Sequence, residues 1–363
     1  MPRFATFAAW TSALVPLLAC APDDAANETV FETADLAIRR VSGETLCRGS
    51  VDGVVEEYER VRRLHSEGDA DPMEQLVVRL GNAAAEEFCG SRMVDVAGCA
   101  GRSDHGTLLA AGQVDVISHE LVHGVRLQFG HYGNRFIEEG LAEFDRAGVF
   151  GDYGVMRTSV DVDAELEAFG NDGASYLGAM TFVAYLAERY GEDALREATR
   201  APSYSSASSR AELDAWFMRS FGEPLESAIA LYAGPDSAVI IDRPGPCHAE
   251  EIGLPASVNT LDVACSTNAV GVIEPELGDP RIESTPECFI APQEGATVSH
   301  HASDEVTIVL TSWACEDGEP RRRTGTVLRA GEDAQVPAGS CLFSVASSGP
   351  PEGYTLEWTL EPL

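Results

Sequence analysis

The 363-residue sequence contains no lysine, so all 25 of its basic side chains are arginines. It has 59 acidic residues, which gives a formal net charge of −34 at pH 7 with histidine neutral. A chain this acidic repels phosphate backbones and anionic headgroups, which argues against nucleic acid as a partner. The charge favours cations and basic substrates, and it also suits solubility in a salty or extracellular medium.

The sequence also lacks any Cys-x-x-Cys pair, which argues against a thiolate zinc site or a thioredoxin-like motif. Besides Cys20 it has eight cysteines: Cys47, Cys89, Cys99, Cys247, Cys265, Cys288, Cys315 and Cys341. An even number in an exported protein indicates disulfides, and local bridges Cys89–Cys99 and Cys315–Cys341 are predicted. Three of the eight precede residue 234, so at least one bridge crosses that point if all eight pair.

After the first twenty residues no apolar run is long enough to span a membrane. Arg3 is followed by an apolar stretch, too short for a spanning helix, that ends in Leu17-Leu18-Ala19-Cys20. This ending resembles a bacterial lipobox. The resemblance implies a lipoprotein signal peptide over 1–19, lipidation of Cys20, and a membrane anchor at the bacterial cell envelope, periplasmic or surface-exposed. An ordinary secretory signal cut near Ala19 or Ala21 is the alternative.

The length suits two domains. Residues 20–40, acidic and rich in small side chains at their start, are predicted to be the lipidated cysteine and a flexible tether. A first domain is predicted over 41–234, a Gly- and Pro-punctuated linker over 235–250, and a β-rich domain over 251–363. The second domain is expected to be an all-β, disulfide-containing, sandwich-like unit.

Hydrophobic periodicity predicts mostly helices in the first domain, with short strands upstream. The predicted helices are 50–66, 82–88, 177–190, 192–200, 211–221 and 225–232, with further helices around residues 119 and 139. The predicted strands are 75–80, 93–96 and an edge strand at 107–110, followed by 305–313, 325–328 and 354–360 in the second domain.

The segment His119-Glu120-Leu121-Val122-His123 carries the main chemical signal. On a helix, residues four apart lie one turn apart on the same face, so both imidazoles can bind one zinc ion. Glu120 is then placed to activate a water molecule as general base. A histidine alone is usually structural, but two at this spacing with the glutamate favour a metal site.

A second helix is predicted to begin soon afterwards, at Phe136-Ile137-Glu138-Glu139-Gly140-Leu141-Ala142-Glu143. Glu139 and Glu143 share one face, and a carboxylate from a second helix is what a His₂Glu zinc site requires. The alternatives are a solvated acidic helix face and Glu138 as the ligand instead.

Residues from about His119 to Gly191 resemble the gluzincins, the thermolysin-like and aminopeptidase-like zinc metallopeptidases. Glu139-Gly140-Leu141-Ala142 matches the Glu-Gly-x-Ala segment of that superfamily. The resemblance implies an α+β zincin-like domain, Zn²⁺ held by His119, His123 and Glu139, and Glu143 orienting His119. Glu138 fits less well, since Ala142 occupies the position four residues after it.

The resemblance further implies a tyrosine that stabilises the oxyanion, and Tyr176 at a predicted helix start is the candidate. Tyr132 and His131 are alternatives, and a merely packed Tyr176 is another. The Gly-x-Met-Glu-Asn strand of the aminopeptidase branch does not precede His119, so an endopeptidase is favoured. Arg126 and Phe129 occupy the positions where metzincins need Gly and His.

The sequence therefore predicts zinc-dependent hydrolysis of a peptide or protein substrate, with the 107–110 edge strand aligning the peptide. Two alternatives remain. In one, the zinc-bearing fold is inactive and serves as a surface binding module. In the other, the His-Glu-x-x-His match is accidental in a structural lipoprotein.

Overall fold

The computed structural model of the chain describes two sets of residues. The first comprises 27–41, 45–66, 72–81, 88–89, 98–103, 106–112, 116–146, 161–167, 176–207 and 209–232. The second comprises 257–263, 269–270, 272–273, 282–284, 287–291, 294–301, 306–316, 319–329, 331–350 and 354–362. The predicted signal peptide, Cys20, most of the helix over 82–88, the strand over 93–96 and the linker over 235–250 lie outside these ranges.

A five-stranded mixed sheet underlies the first part. Its strands are β1 (Asn27–Glu32), β2 (Leu36–Val41), β4 (Leu76–Leu80), β5 (Gly98–Arg102) and β6 (Leu108–Gly112), and a short β3 (Thr45–Leu46) lies outside it. The spatial order is β1-β2-β4-β6-β5. Strands β2, β4 and β6 run parallel, whereas β1 and β5 are antiparallel to their neighbours at the two edges.

The prediction of a flexible tether over 20–40 is wrong for residues 27–40. Residues 27–41 form β1 and β2, and Leu36, Ala37 and Ile38 are at most 1% exposed. This apolar triplet is buried on both faces of the sheet, which favours a paired strand over a solvated linker. Of the acidic residues that suggested a tether, Glu28 and Glu32 lie on the edge strand β1, whereas Asp23 and Asp24 lie outside the described residues.

The predicted edge strand is also corrected. Residues 108–112 do form a strand, but β6 is paired on both sides, with β4 and with β5. The edge is β5, where the sequence predicts no strand because Gly98 and Gly101 weaken the strand signal. The predicted Cys89–Cys99 disulfide is confirmed and ties this edge strand to the chain before it.

Two helices pack on one face of the sheet: α1 (Arg48–His65) and α2 (Ile117–Gln128). Their apolar stripes, including Val54 and Leu121, share a core with Ile38, Val78 and Ala110 of the strands. A Cβ on Gly124 of α2 would lie 2.9 Å from the Leu76 side chain, so this glycine allows α2 to lie close against β4.

The remaining helices of this part form a second core. They are α3 (Arg135–Asp145), α4 (Val162–Glu167), α5 (Tyr176–Tyr190), α6 (Glu192–Arg200), α7 (Pro202–Ser205), α8 (Arg210–Phe221) and α9 (Leu225–Tyr232). Phe182, Trp216 and Phe217 are fully buried there. The predicted helices over 177–190, 192–200, 211–221 and 225–232 are confirmed.

The second part of the chain is rich in strands, as predicted. Its strands are β7 (Ser257–Val263), β8 (Ala269–Val270), β9 (Val272–Ile273), β10 (Ile282–Ser284), β11 (Glu287–Ile290), β12 (Ala296–His300), β13 (Thr307–Glu316), β14 (Glu319–Leu328), β15 (Asp333–Val336), β16 (Ser340–Gly349) and β17 (Tyr354–Pro362). They form one sheet around β13 and β16 and another around β12 and β17. Side chains of both sheets share one core, where Phe343 and Trp358 meet edge to face.

The two parts are connected by more than the linker. β3 pairs with β9, so residues 45–46 and 272–273 form a two-stranded sheet. Cys47, next to β3, is also disulfide-bonded, and its partner is neither Cys89 nor Cys99, because those two pair with each other. Cys315 and Cys341 lie on the neighbouring strands β13 and β16, and their bridge stays a prediction.

Candidate metal centre

Helix α2 presents His119, Glu120 and His123 to one buried position. The two histidines lie one turn apart, and all three side chains belong to residues at most 5% exposed. The ring centroids of His119 and His123 are 4.7 Å apart, with the ring planes nearly perpendicular. The spacing therefore produces the convergence that the sequence predicted.

Helix α3 adds the third donor. Asn134 caps this helix by accepting a hydrogen bond from the Ile137 amide, 3.2 Å away. A Cβ on Gly140 would lie 2.5 Å from the Ala179 carbonyl oxygen, so the glycine allows α5 to pack closely against α3. The Gly of the Glu-Gly-x-Ala segment thus has a packing role.

Three donor atoms form a nearly equilateral triangle. The Nε2 atoms of His119 and His123 are 3.1 Å apart, and Glu139 Oε2 lies 3.1 Å and 3.2 Å from them. Ligands of a tetrahedral zinc ion, each about 2.0–2.1 Å from the metal, are separated by about 3.3 Å. His119, His123 and Glu139 could therefore hold a metal ion together, and the spacing of their donor atoms fits this.

Glu143 fixes the orientation of the first histidine. Its Oε1 lies 2.9 Å from His119 Nδ1, while its other oxygen lies 3.1 Å from Arg146 Nε. With Nδ1 engaged, Nε2 of His119 faces the donor triangle. Burial opposes a proton on His119, but the hydrogen bonds to Glu139 and Glu143 outweigh it and raise the pKa to about 10.

The Glu139 carboxylate has two differently placed oxygens. Oε2 faces the imidazoles, and Oε1 lies 3.6 Å from Arg135 Nε on the preceding turn of α3. Burial favours the neutral acid, but His123 and His119 outweigh it and hold the pKa of Glu139 well below its usual range. The carboxylate is therefore ionised, as a metal ligand must be.

Glu120 differs from the other acids of the centre. Burial raises its pKa above the ordinary value for glutamate, although the nearby imidazoles oppose this. A Cβ on Gly98, at the start of β5, would lie 2.9 Å from Glu120 Cγ and 3.0 Å from Oε1. The edge strand thus passes directly against the Glu120 side chain, at a residue with no side chain of its own.

Two tyrosines flank the donor triangle. The Tyr176 ring lies 5.8 Å from the His119 ring and is 49% exposed, and Arg135 hydrogen-bonds its hydroxyl. The Tyr132 ring lies 5.8 Å from that of His123. Both predicted tyrosine candidates are therefore near the centre, whereas His131 stacks on Phe129.

Glu138, the alternative ligand, points away from the triangle. It is fully buried and forms a bidentate ion pair with Arg126. Sequence reasoning missed Arg126, Arg135, Arg146 and Gly98 as neighbours of the centre. Only Arg126 carried a signal, because it is a charged residue between Val125 and Leu127 on α2.

Comparison with known proteins adds no relative. No family model matches the chain, and neither does any curated protein. Similar solved structures include TmCBM61 in complex with beta-1,4-galactotriose, at 12% identity and a TM-score of 0.16 over 30% of this chain and 88% of that one. The Drosophila melanogaster CENP-C cupin domain has 13% identity and a TM-score of 0.15 over 28% and 75% of the two chains.

A structure of CoII HppE in complex with substrate has 13% identity and a TM-score of 0.15 over 50% of this chain and 98% of that one. Scores this low show no common fold, so nothing about function is transferred from these proteins. Among the described residues, no helix has the length and apolar character needed to cross a bilayer.

Proposed function

We propose that this chain is a zinc-dependent peptidase of the gluzincin type with a zincin-like fold around α2 and α3. The observation that carries the proposal is the triangle of His119 Nε2, His123 Nε2 and Glu139 Oε2, with edges of 3.1–3.2 Å. Two imidazoles and one carboxylate are a common donor set of hydrolytic zinc centres, which leave one coordination position open.

Zn²⁺ held by these residues would supply Lewis-acid chemistry, lowering the pKa of water so that it can lose a proton and attack at neutral pH. Glu120 accepts the proton of the attacking water and passes it to the nitrogen of the leaving amine.

The flanking residues have supporting roles. Glu143 holds His119 through Nδ1, so that Nε2 faces the metal position. The Tyr176 hydroxyl donates a hydrogen bond to the carbonyl oxygen as negative charge develops there, and Arg135 holds that hydroxyl. The outer edge of β5, which pairs with no strand among the described residues, lies next to Glu120 and binds the peptide substrate as an added strand.

The proposal includes a location. The lipobox-like end of the N-terminal apolar segment places a lipid on Cys20, which anchors the enzyme at the bacterial cell envelope. Mass spectrometry of the N-terminal peptide purified from membranes tests this part. A diacylated cysteine at position 20 supports it, and an unmodified N terminus at residue 20 or 22 contradicts it.

The enzymatic proposal is tested with Glu120→Gln and a peptide library. The wild type should retain zinc after gel filtration and cleave the library, and a chelator should abolish cleavage. Glu120→Gln should retain zinc and lose about 10²–10⁴-fold in rate, the usual contribution of a general base. Glu197→Gln, an exposed glutamate on α6, is the control and should behave as wild type.

Two outcomes contradict the proposal. Full activity in Glu120→Gln would show that Glu120 is not the general base. A wild type that binds zinc and cleaves nothing in the library favours the binding-module alternative.

A further inference from the structure

Arg126 lies three residues beyond the second proposed zinc ligand and is completely buried. Its Nε and Nη2 donate to the two carboxylate oxygens of Glu138, at 2.6 Å and 2.9 Å. Nη2 also donates to the carbonyls of His131 and Thr199, at 2.7 Å and 3.2 Å, and Nη1 lies 3.2 Å from His65 Nδ1. One side chain of α2 therefore contacts α1, α3, α6 and the loop before α3.

Glu138 is equally well satisfied. Besides Arg126, its carboxylate accepts a hydrogen bond from the Gly133 amide at 3.0 Å. The buried Tyr204 hydroxyl donates to the Asn134 carbonyl at 3.4 Å, and burial together with the nearby Glu138 charge raises the pKa of Tyr204. Burying an ion pair costs several kcal/mol in lost hydration, which close geometry and full hydrogen bonding must offset. Because both ions are fully partnered, the pair has one well-defined arrangement.

The position of Glu138 determines that of Glu139. Successive side chains on a helix are about 100° apart, so holding Glu138 at Arg126 directs Glu139 to a different face of α3. A rotation of α3 by only about 20° would displace a carboxylate near its rim by roughly 2 Å. That displacement is large compared with the tolerance of a zinc–oxygen bond.

Arg126 also fixes the wall of the centre. The His131 carbonyl that it binds precedes Tyr132, whose ring lies 5.8 Å from that of His123. The guanidinium therefore holds two features against the histidine helix, namely the rotation of α3 and the loop that carries Tyr132.

We propose that the Arg126–Glu138 pair positions the metal centre, so that it sets the affinity for zinc as well as the stability of the fold. This inference rests on the proposed function, because it takes His119, His123 and Glu139 as zinc ligands. Arg126 and Glu138 are positioning residues that act through Glu139 and Tyr132.

The chain offers a matched control at the far end of α3. Asp145 is fully buried, and its Oδ1 lies 2.6 Å from Arg196 Nη2 of α6. This pair also joins α3 to a neighbouring element through a buried arginine, but it lies six residues beyond Glu139. Arg196→Lys and Arg126→Lys each keep the charge and remove a guanidinium fork.

The experiment measures three quantities for the metal-free wild type and both variants. These are the zinc dissociation constant by competition with a chromogenic chelator, the visible absorption spectrum with Co²⁺, and the urea unfolding midpoint. Arg126→Lys should weaken zinc binding about 10–100-fold, the usual effect of losing a residue that orients a metal ligand, and should alter the cobalt spectrum. Arg196→Lys should lower the urea midpoint but keep the zinc affinity and the spectrum of wild type.

If Arg126→Lys folds and has the zinc affinity and the cobalt spectrum of wild type, the inference is overturned and the proposed function is left intact. If Arg126→Lys does not fold, Glu138→Gln replaces it under the same criterion, because glutamine keeps the size and two hydrogen bonds of glutamate. An equal loss of zinc affinity in Arg196→Lys shows a general effect of stability and also overturns the inference. A wild type that binds no zinc overturns the proposed function together with it.

Discussion

Helices α2 and α3 carry two buried clusters of charged side chains that are arranged differently. In the cluster around Arg126, the carboxylates of Glu138 and Asp145 each have a guanidinium partner, and His65 lies between the two pairs. In the metal cluster, the donors of His119, His123 and Glu139 converge on one point instead.

The difference separates charges that neutralise one another from donor atoms that leave a position for a cation. The Arg126 cluster is neutralised by its own members, so it needs nothing from outside to be stable. The metal cluster directs lone pairs of three residues at one position, an arrangement that a cation completes. Neighbouring glutamates, Glu138 and Glu139, belong to different clusters, so burial and acidity alone do not identify a functional residue.

The largest expected effects come from replacing Glu138 or Glu139 with alanine. Glu138→Ala leaves Arg126 buried without its carboxylate and should lower the unfolding free energy of the metal-free protein by about 3–5 kcal/mol. Glu139→Ala should cost less stability but abolish zinc retention on gel filtration. Urea unfolding and metal analysis of both variants measure these effects. If Glu138→Ala loses zinc without being destabilised, Glu138 is the metal ligand and Glu139 is not.

A smaller effect is expected where the edge strand meets the metal cluster. A methyl group at Gly98 would press on Glu120, and overpacking of this kind costs about 1–3 kcal/mol. Gly98→Ala should therefore retain zinc and lose about 10–100-fold in kcat, because a displaced Glu120 is misaligned with the water that it activates.

Gly101→Ala in the same strand is the matched control, because a Cβ there has nothing within 4 Å. Its steady-state rates should equal those of wild type. Equal losses in both variants would indicate general damage to β5 rather than pressure on Glu120.

The smallest effect is a pH dependence of opposite sign in the two clusters of the metal-free protein. The His119 pKa rises from 6.5 to about 10, so its stabilisation is complete below about pH 6.5 and is lost as the pH rises towards 10. Burial, with the charges of Arg126 and Arg196, lowers the pKa of His65 against the opposing effect of Asp145. The unfolded chain then binds the His65 proton more readily, and stability is lost as the pH falls below about 6.5.

Stability of the metal-free protein should thus be greatest near pH 6.5 to 7. Urea midpoints between pH 5 and pH 10, measured with a chelator present, test this. His119→Gln should flatten the alkaline side of the stability profile, and His65→Asn should flatten the acid side. If His65→Asn leaves the urea midpoints below pH 6.5 unchanged, His65 is not the cause of the stability loss in acid.

The convergence of His119, His123 and Glu139 was predictable because the spacing of these residues follows local rules. The i, i+4 spacing of His119 and His123 places them on one helix face, and the same spacing links Glu139 with Glu143. The long helices were predictable for the same reason, since their apolar stripes depend on helical periodicity alone.

Long-range pairing was not predictable. The strand β5 contains two glycines in five residues and exists because it pairs with β6 and is held by the Cys89–Cys99 bridge. Strands β1 and β2 were not predicted, because the acidic residues on and before β1 indicated a solvated tether. The Arg126 cluster joins residues as far apart as 65 and 199, and no local pattern in the sequence indicates such contacts.

The order of the five-stranded sheet has a consequence for how the chain meets its surroundings. Strand β1 begins at Asn27, seven residues after Cys20, so a lipid on that cysteine would hold β1 within about 25 Å of the bilayer surface. The edge β5 is four strand spacings away, roughly 19 Å across the sheet. In a protein anchored through Cys20, the sheet would then act as a spacer that holds β5 at a fixed distance from the anchored strand β1.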